Sequence, residues 1–185
     1  MDPDRDDAAR LRRGDTDGLA GLMRRHQDRL FRYLLRLVGD EPMAEDVFQQ
    51  TWLRVAERIS RYDAARPFAP WLFTVARHLA LDQLRRRRPE SLEETSEPAA
   101  PAGTGDDPLT RAMAGQRSSR LADALARLAP LDREVLSLRF EAELELPQLA
   151  ETLGVPVPTA KARLYRALAR LRERLLARAP AEEWR

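Results

Sequence analysis

The chain has 185 residues, 43% hydrophobic and 34% charged, with a formal net charge of +2 and no cysteine. That content supports two small helical domains of roughly 70 residues each and excludes disulfides, cysteine-ligated zinc and a thiol nucleophile. No apolar run approaches the roughly 18 residues a membrane-spanning helix needs, and His26 and His78, the only histidines, lie too far apart in sequence to suggest a metal or catalytic motif.

Residues 1–14 mix Asp and Arg without periodicity and are expected to stay loose. Leu19, Leu22, Met23, His26, Leu30, Phe31, Leu34, Leu35 and Val38 then recur at helical spacing, and Gly39-Asp40 ends the stripe. Asp40 suits a cap for a helix reaching about Ser60, with Pro42 in its first turn. In that helix Val47, Phe48, Thr51, Trp52 and Val55 share a side expected to be buried. Asp46, Gln49, Gln50 and Leu53 share the outward one, which reads either as a docking face or as a plain solvated face. Arg61 to Pro70, with two prolines and a Tyr-Asp pair, reads as a loop. From Trp71 to Arg88 a further helix is expected, burying Trp71, Leu72, Val75, Ala76 and Leu79. Its other face offers Thr74, Arg77, His78 and Arg85, and Asp82 stands four residues after His78.

Residues 89–118, rich in Pro, Ala, Gly and acidic side chains, read as a linker. Helical spacing returns at Leu121, Leu125 and Leu128, again from Pro130 to about Phe140, and over Gln148 to Leu153. Gly154 and the Val155-Pro156-Val157-Pro158 run break the chain, and Thr159 is expected to cap a last helix ending near Ala179. The expected fold is therefore all-α, with a domain over 15–88, a flexible acidic linker over 89–118, a second domain over 119–179 and a tail over 180–185.

Charge is segregated along this layout. Five arginines against one aspartate fall between Trp71 and Arg88, and seven basic residues against one glutamate between Thr159 and Arg178. Gln148 to Leu153, the Gly154 turn and the helix after it have the layout of a helix-turn-helix, whose second helix enters the major groove of DNA. Lys161, Arg163, Arg166 and Arg170 would face the DNA while Ala160, Leu164, Leu168 and Leu171 face the core. The inventory assembles no nucleophile with its base, no metal set and no phosphate loop, so neither catalysis, a metal nor a cofactor is expected.

Three motifs carry a resemblance. Ala44 to Gln49 reads A-E-D-V-F-Q, Trp71 to Arg77 reads W-L-F-T-V-A-R, and Leu128 to Arg139 reads L-A-P-L-D-R-E-V-L-S-L-R. Together they resemble the extracytoplasmic-function, or group IV, sigma factors of bacterial RNA polymerase, over about Asp15 to Arg88 and Leu121 to Leu176. The resemblance implies a cytoplasmic transcription initiation factor that binds core RNA polymerase and promoter DNA and that an anti-sigma protein can sequester. It implies polymerase binding through Asp46, Gln49, Gln50 and Leu53. The minus-ten element would be bound through Tyr62, Asp63, Arg77, His78, Asp82 and Arg85, and the minus-thirty-five element through Thr159, Lys161, Arg163, Arg166 and Arg170. His78 stands where the family commonly has Asn, and Glu143, Pro147, Pro158 and Ala160 depart from its usual choices around the helix-turn-helix. The alternative reading is a stand-alone helix-turn-helix regulator that binds duplex DNA without polymerase; a third is a helical adaptor for protein partners.

Overall fold

Aspartate side chains open each of the first three helices. Asp2, Asp15 and Asp40 accept the N–H groups of Asp4, Asp17 and Met43 at 3.0, 3.0 and 3.1 Å, satisfying donors that a helix start leaves unpaired. The helices they start are α1 (Pro3–Arg12), α2 (Thr16–Val38) and α3 (Glu41–Arg58). This computed structural model describes residues 2–87 and 120–177. Among them the remaining elements are a 3-10 turn (Ile59–Arg61), α4 (Phe68–Arg87), α5 (residues 120–126), α6 (Pro130–Phe140), α7 (Leu146–Leu153) and α8 (Val157–Leu176), with no strand. The expected linker and the tail lie outside the described residues.

The opening residues, expected to be loose, form α1 against α2. Glycine explains the docking: a Cβ at Gly18 would stand 2.3 Å from the Asp7 carbonyl oxygen, and one at Gly21 would stand 2.0 Å from the Asp7 carboxylate. Only bare backbone lets the two helices approach this closely. Arg25 holds Asp4 at 2.6 Å and Asp7 at 2.7 Å, and the buried His26 ring meets Asp4 at 2.8 Å. Burial works against the Asp4 carboxylate, but hydrogen bonds from His26 and Arg25 outweigh it and hold the carboxyl below its ordinary value.

Leu22, Leu30, Tyr33, Leu34, Val47, Val55, Leu72 and Phe73 are fully buried where α2, α3 and α4 meet. Phe73 and Ala80 join the core, which the Trp71-based stripe left out, because α4 packs against α2 and α3 and also against α7. α4 also begins earlier than expected, at Phe68, with Pro70 in its first turn where a missing N–H costs little. In the second group, α6, α7 and α8 surround Val135, Leu138, Leu149, Leu153, Ala160 and Leu164. Gly154 ends α7 at φ +66°, as its place between two helices requires. α8 starts at Val157, and Pro158 sits in its first turn, so Thr159 is a first-turn residue and not the expected cap. The helix ends at Leu176.

Candidate nucleic-acid and polymerase interfaces

Asp46, Gln49, Gln50 and Leu53 lie on the solvent side of α3, and Leu53 is 66% exposed. The opposite side is committed to the core: Val47, Thr51, Trp52 and Val55 are buried, and the Thr51 hydroxyl donates to the Val47 carbonyl at 2.7 Å. Beside this stripe an open cleft of about 580 Å³ runs between α2 and α3, lined by Gln27, Asp28, Phe31, Arg32, Glu45, Phe48 and Gln49. Phe31 and Phe48 meet edge to face across it at 5.9 Å. An apolar floor with a polar rim can accept a partner helix. Helical spacing puts Phe31 on the α2 stripe and Phe48 on the α3 core face, and it does not show that the two share a cleft.

The loop after α3 is held from within. Tyr62 is buried, its ring against Phe68 and Trp71 at 5.4 Å each, and its hydroxyl donates to the Arg66 carbonyl at 2.5 Å. Burial, followed by the nearby Asp2 and Asp4 charges, raises its phenol above the ordinary value. Asp63 is exposed and accepts the Ala65 N–H at 2.9 Å, closing the turn. A cavity of about 340 Å³ opens here, lined among others by Arg61, Tyr62, Asp63, Arg66 and Trp71 from the first helical group and by Glu151 from the second. Arg61 and Arg66, which flank the Tyr-Asp pair in sequence, bring cations to this cavity that the motif reading passed over.

Along α4, His78, Asp82 and Arg85 are exposed, and Asp82 turns to Arg85 at 3.5 Å rather than back to His78. Arg77 departs from its expected outward place. Its side chain is 18% exposed and donates at 2.6 Å to Glu134 of α6, which is 3% exposed. Against this pair lies Tyr33, whose hydroxyl is buried with no hydrogen-bond partner among the described residues. Burial, and after it the Glu134 charge, push that phenol well above its ordinary value.

Further pairs repeat this polarity, arginine from the first group and glutamate from the second: Arg29 with Glu143 at 2.9 Å, Arg32 with Glu141 at 3.0 Å, and Arg66 with Glu151. Glu143 adopts a left-handed backbone, φ +56°, at the turn where it meets Arg29. Arg133 opposes the trend, since burial and then the Arg36 charge lower its guanidinium.

On α8, Lys161, Arg166 and Arg170 are exposed and Arg163 and Thr159 half-buried, while Ala160, Leu164 and Ala167 are buried beneath them. Lys161 sits 6.0 Å above the Tyr165 ring, which is itself 61% exposed. Arg170 is engaged within the domain, donating to the buried Asp132. Of the four expected cations, Lys161 and Arg166 are thus exposed and outside any ion pair among the described residues, and Arg172 and Arg174 are exposed further along α8. No helix among the described residues is long and apolar enough to cross a membrane, and no cluster of theirs could hold a metal ion.

An exposed cationic helix behind a glycine turn, joined to a second helical group, has the layout of a helix-turn-helix protein that binds DNA. Residues 22–90 match the family described as sigma-70 region 2, and residues 118–171 match sigma-70 region 4. The chain is 34% identical over 170 residues to the RNA polymerase sigma factor CarQ of Myxococcus xanthus, covering 90% of this chain and 94% of that one. It is 36% identical over 159 residues to the ECF RNA polymerase sigma factor SigL of Mycobacterium tuberculosis, covering 83% and 88%. Its fold is similar to that of CnrH, solved in complex with the cytosolic domain of CnrY, with TM-score 0.73, 26% identity and coverage of 96% of this chain and all of that one. The chain belongs to the extracytoplasmic-function RNA polymerase sigma factors. Its function is promoter-specific initiation of transcription with RNA polymerase, and the stand-alone regulator reading gives way to it.

Proposed function

We propose a division of labour among named faces of this sigma factor. The α3 stripe of Asp46, Gln49, Gln50 and Leu53 docks core polymerase. Tyr62, Asp63, His78, Asp82 and Arg85, joined by Arg77, serve the minus-ten element, and Thr159, Lys161, Arg163, Arg166 and Arg170 the minus-thirty-five element. The first domain spans 15–88 and the second 119–179, with residues 89–118 connecting them through the polymerase. The factor performs no catalysis of its own and works in the cytoplasm. Because CnrH was solved with CnrY, an anti-sigma protein is the regulatory partner we infer for this chain.

The observation that carries this reading is the exposed cationic face of α8 behind the Gly154 turn; Arg77, ion-paired to Glu134, needs a further step. Elements named for positions ten and thirty-five are separated by about 25 base pairs, roughly 85 Å of duplex. Helices that touch, as α2 touches α6 and α4 touches α7, cannot reach both, so the two groups must part on the promoter. Parting releases Arg77 to the DNA. Reconstitution with core polymerase on a genomic promoter library, scored by transcript starts, tests the proposal. Defined starts are expected for the full chain, fewer starts for the α3 variant Asp46→Arg/Gln49→Arg, and weaker minus-thirty-five dependence for Lys161→Ala. Tight, sequence-specific duplex binding without polymerase would overturn it.

A further inference from the structure

α1 lies before both matched family segments, 22–90 and 118–171, yet it is tied to the structure at both ends. The Asp4, Asp7, Arg25 and His26 cluster and Gly21 seat its first half on α2, and Gly18 admits its backbone from Asp7 to Leu11. Its last residue, Arg12, reaches across to the end of α3. There the guanidinium donates to the Ile59 carbonyl at 3.2 Å and also to the Tyr62 carbonyl. The Ile59 carbonyl also accepts the Tyr62 N–H at 3.2 Å, closing the 3-10 turn, so Arg12 adds a second donor there and one guanidinium nitrogen joins that carbonyl to the Tyr62 carbonyl.

The two carbonyls bracket the entrance to the 62–67 loop. The next ties are Tyr62 itself, stacked on Phe68 and Trp71 with its hydroxyl on the Arg66 carbonyl, and the Asp63 turn at Ala65. The loop is therefore pinned from three directions while the cavity beside it stays open. Capturing an unstacked base costs less when the loop that receives it is already ordered.

We propose that Arg12 is a positioning residue for minus-ten recognition, and that α1 is a brace presetting the loop that receives the unstacked base. Arg12 touches no DNA in this role; it acts through the backbone of Tyr62. The inference rests on the reading of Tyr62 and Asp63 as the base-capturing loop.

The test uses full-length chain assembled with core polymerase and a short randomised single-stranded DNA library, reading base preference at each position alongside total affinity. Compared with the unaltered chain are Arg12→Ala, Arg12→Lys, Asp63→Ala as the reference for the loop, and Gly18→Leu, whose side chain must push α1 off its seat. Melting temperature and duplex minus-thirty-five binding are measured for each. Arg12→Ala and Gly18→Leu are expected to lower discrimination at the captured position roughly fivefold, with polymerase and duplex binding unchanged, and Arg12→Lys to restore part of it. Unchanged discrimination in both variants, with Asp63→Ala abolishing it, would overturn the role of α1 and leave the loop reading standing. If Asp63→Ala also left discrimination intact, the loop reading would fall and the Arg12 role with it. A uniform loss of affinity for every sequence that tracks a lower melting temperature would make Arg12 a stabilising residue only, and the proposal wrong.

Discussion

His78 and Arg77 are neighbours in sequence with opposite fates: His78 is exposed while Arg77 is sealed against Glu134. A substitution at an exposed helix position away from caps and partners changes stability by at most about 0.5 kcal/mol. His78→Asn should therefore leave the melting temperature nearly unaltered while shifting base preference at the upstream edge of the minus-ten element, because an amide donates and accepts at once and a neutral imidazole nitrogen does only one. Start-site mapping on a randomised minus-ten library, beside a thermal melt, checks both halves; a destabilised protein with an unchanged promoter profile contradicts the assignment. Asp4 permits a pH prediction. Its carboxyl is held below the ordinary value of 3.8, so the stabilisation it brings is fully present above that value and fades as pH falls through the lower folded one. Denaturant titrations of the unaltered chain and Asp4→Asn should differ in midpoint at neutral pH and begin to converge only once the pH falls below 3.8, toward the lower folded value.

The helix-turn-helix depends on a turn that other residues enter with strain. Gly154 adopts φ +66° with nothing within 4 Å of where a Cβ would stand, so Gly154→Ala isolates the backbone term. The expected cost is about 1 kcal/mol, read as a lowered denaturation midpoint. On α8, Lys161→Ala and Arg166→Ala should each weaken minus-thirty-five binding by about 1–3 kcal/mol if the side chain reads a base. A phosphate contact instead weakens all sequences alike and reduces the salt slope by about one charge, so promoter variants at two salt concentrations separate the roles. Arg170→Ala should behave differently from both, because its partner is Asp132 within the domain, and its loss should appear in stability. On α3, charge reversal at Asp46 together with Gln49→Arg should reduce co-purification with core polymerase at constant helicity, since neither side chain packs inward.

At the scale of the whole molecule, the two helical groups are joined by arginines of one and glutamates of the other, and most of these pairs are solvent-exposed and open to screening. Glu134 is the exception, buried at 3% exposure with Arg77 as its partner. Glu134→Gln, and salt raised to about 0.5 M, should each enlarge the radius of gyration of the free chain in solution scattering, and together more than either alone. An unchanged radius under all three conditions would mean that apolar contact alone holds the groups together. Local chemistry determined much of this protein from sequence alone: the α2 and α3 stripes, the Gly39 and Gly154 stops and the basic face of α8 follow from spacing, caps and charge, which neighbouring residues carry, while the family resemblance stands on three short motifs. Tertiary structure decided the rest. That α1 folds onto α2 follows from glycines that admit a second backbone, that Arg12 reaches Tyr62 depends on residues fifty positions apart, and that Arg77 turns inward depends on a glutamate in the other helical group. Such pairings arise from packing between distant segments, and no periodicity along the chain encodes which distant partner a side chain will meet.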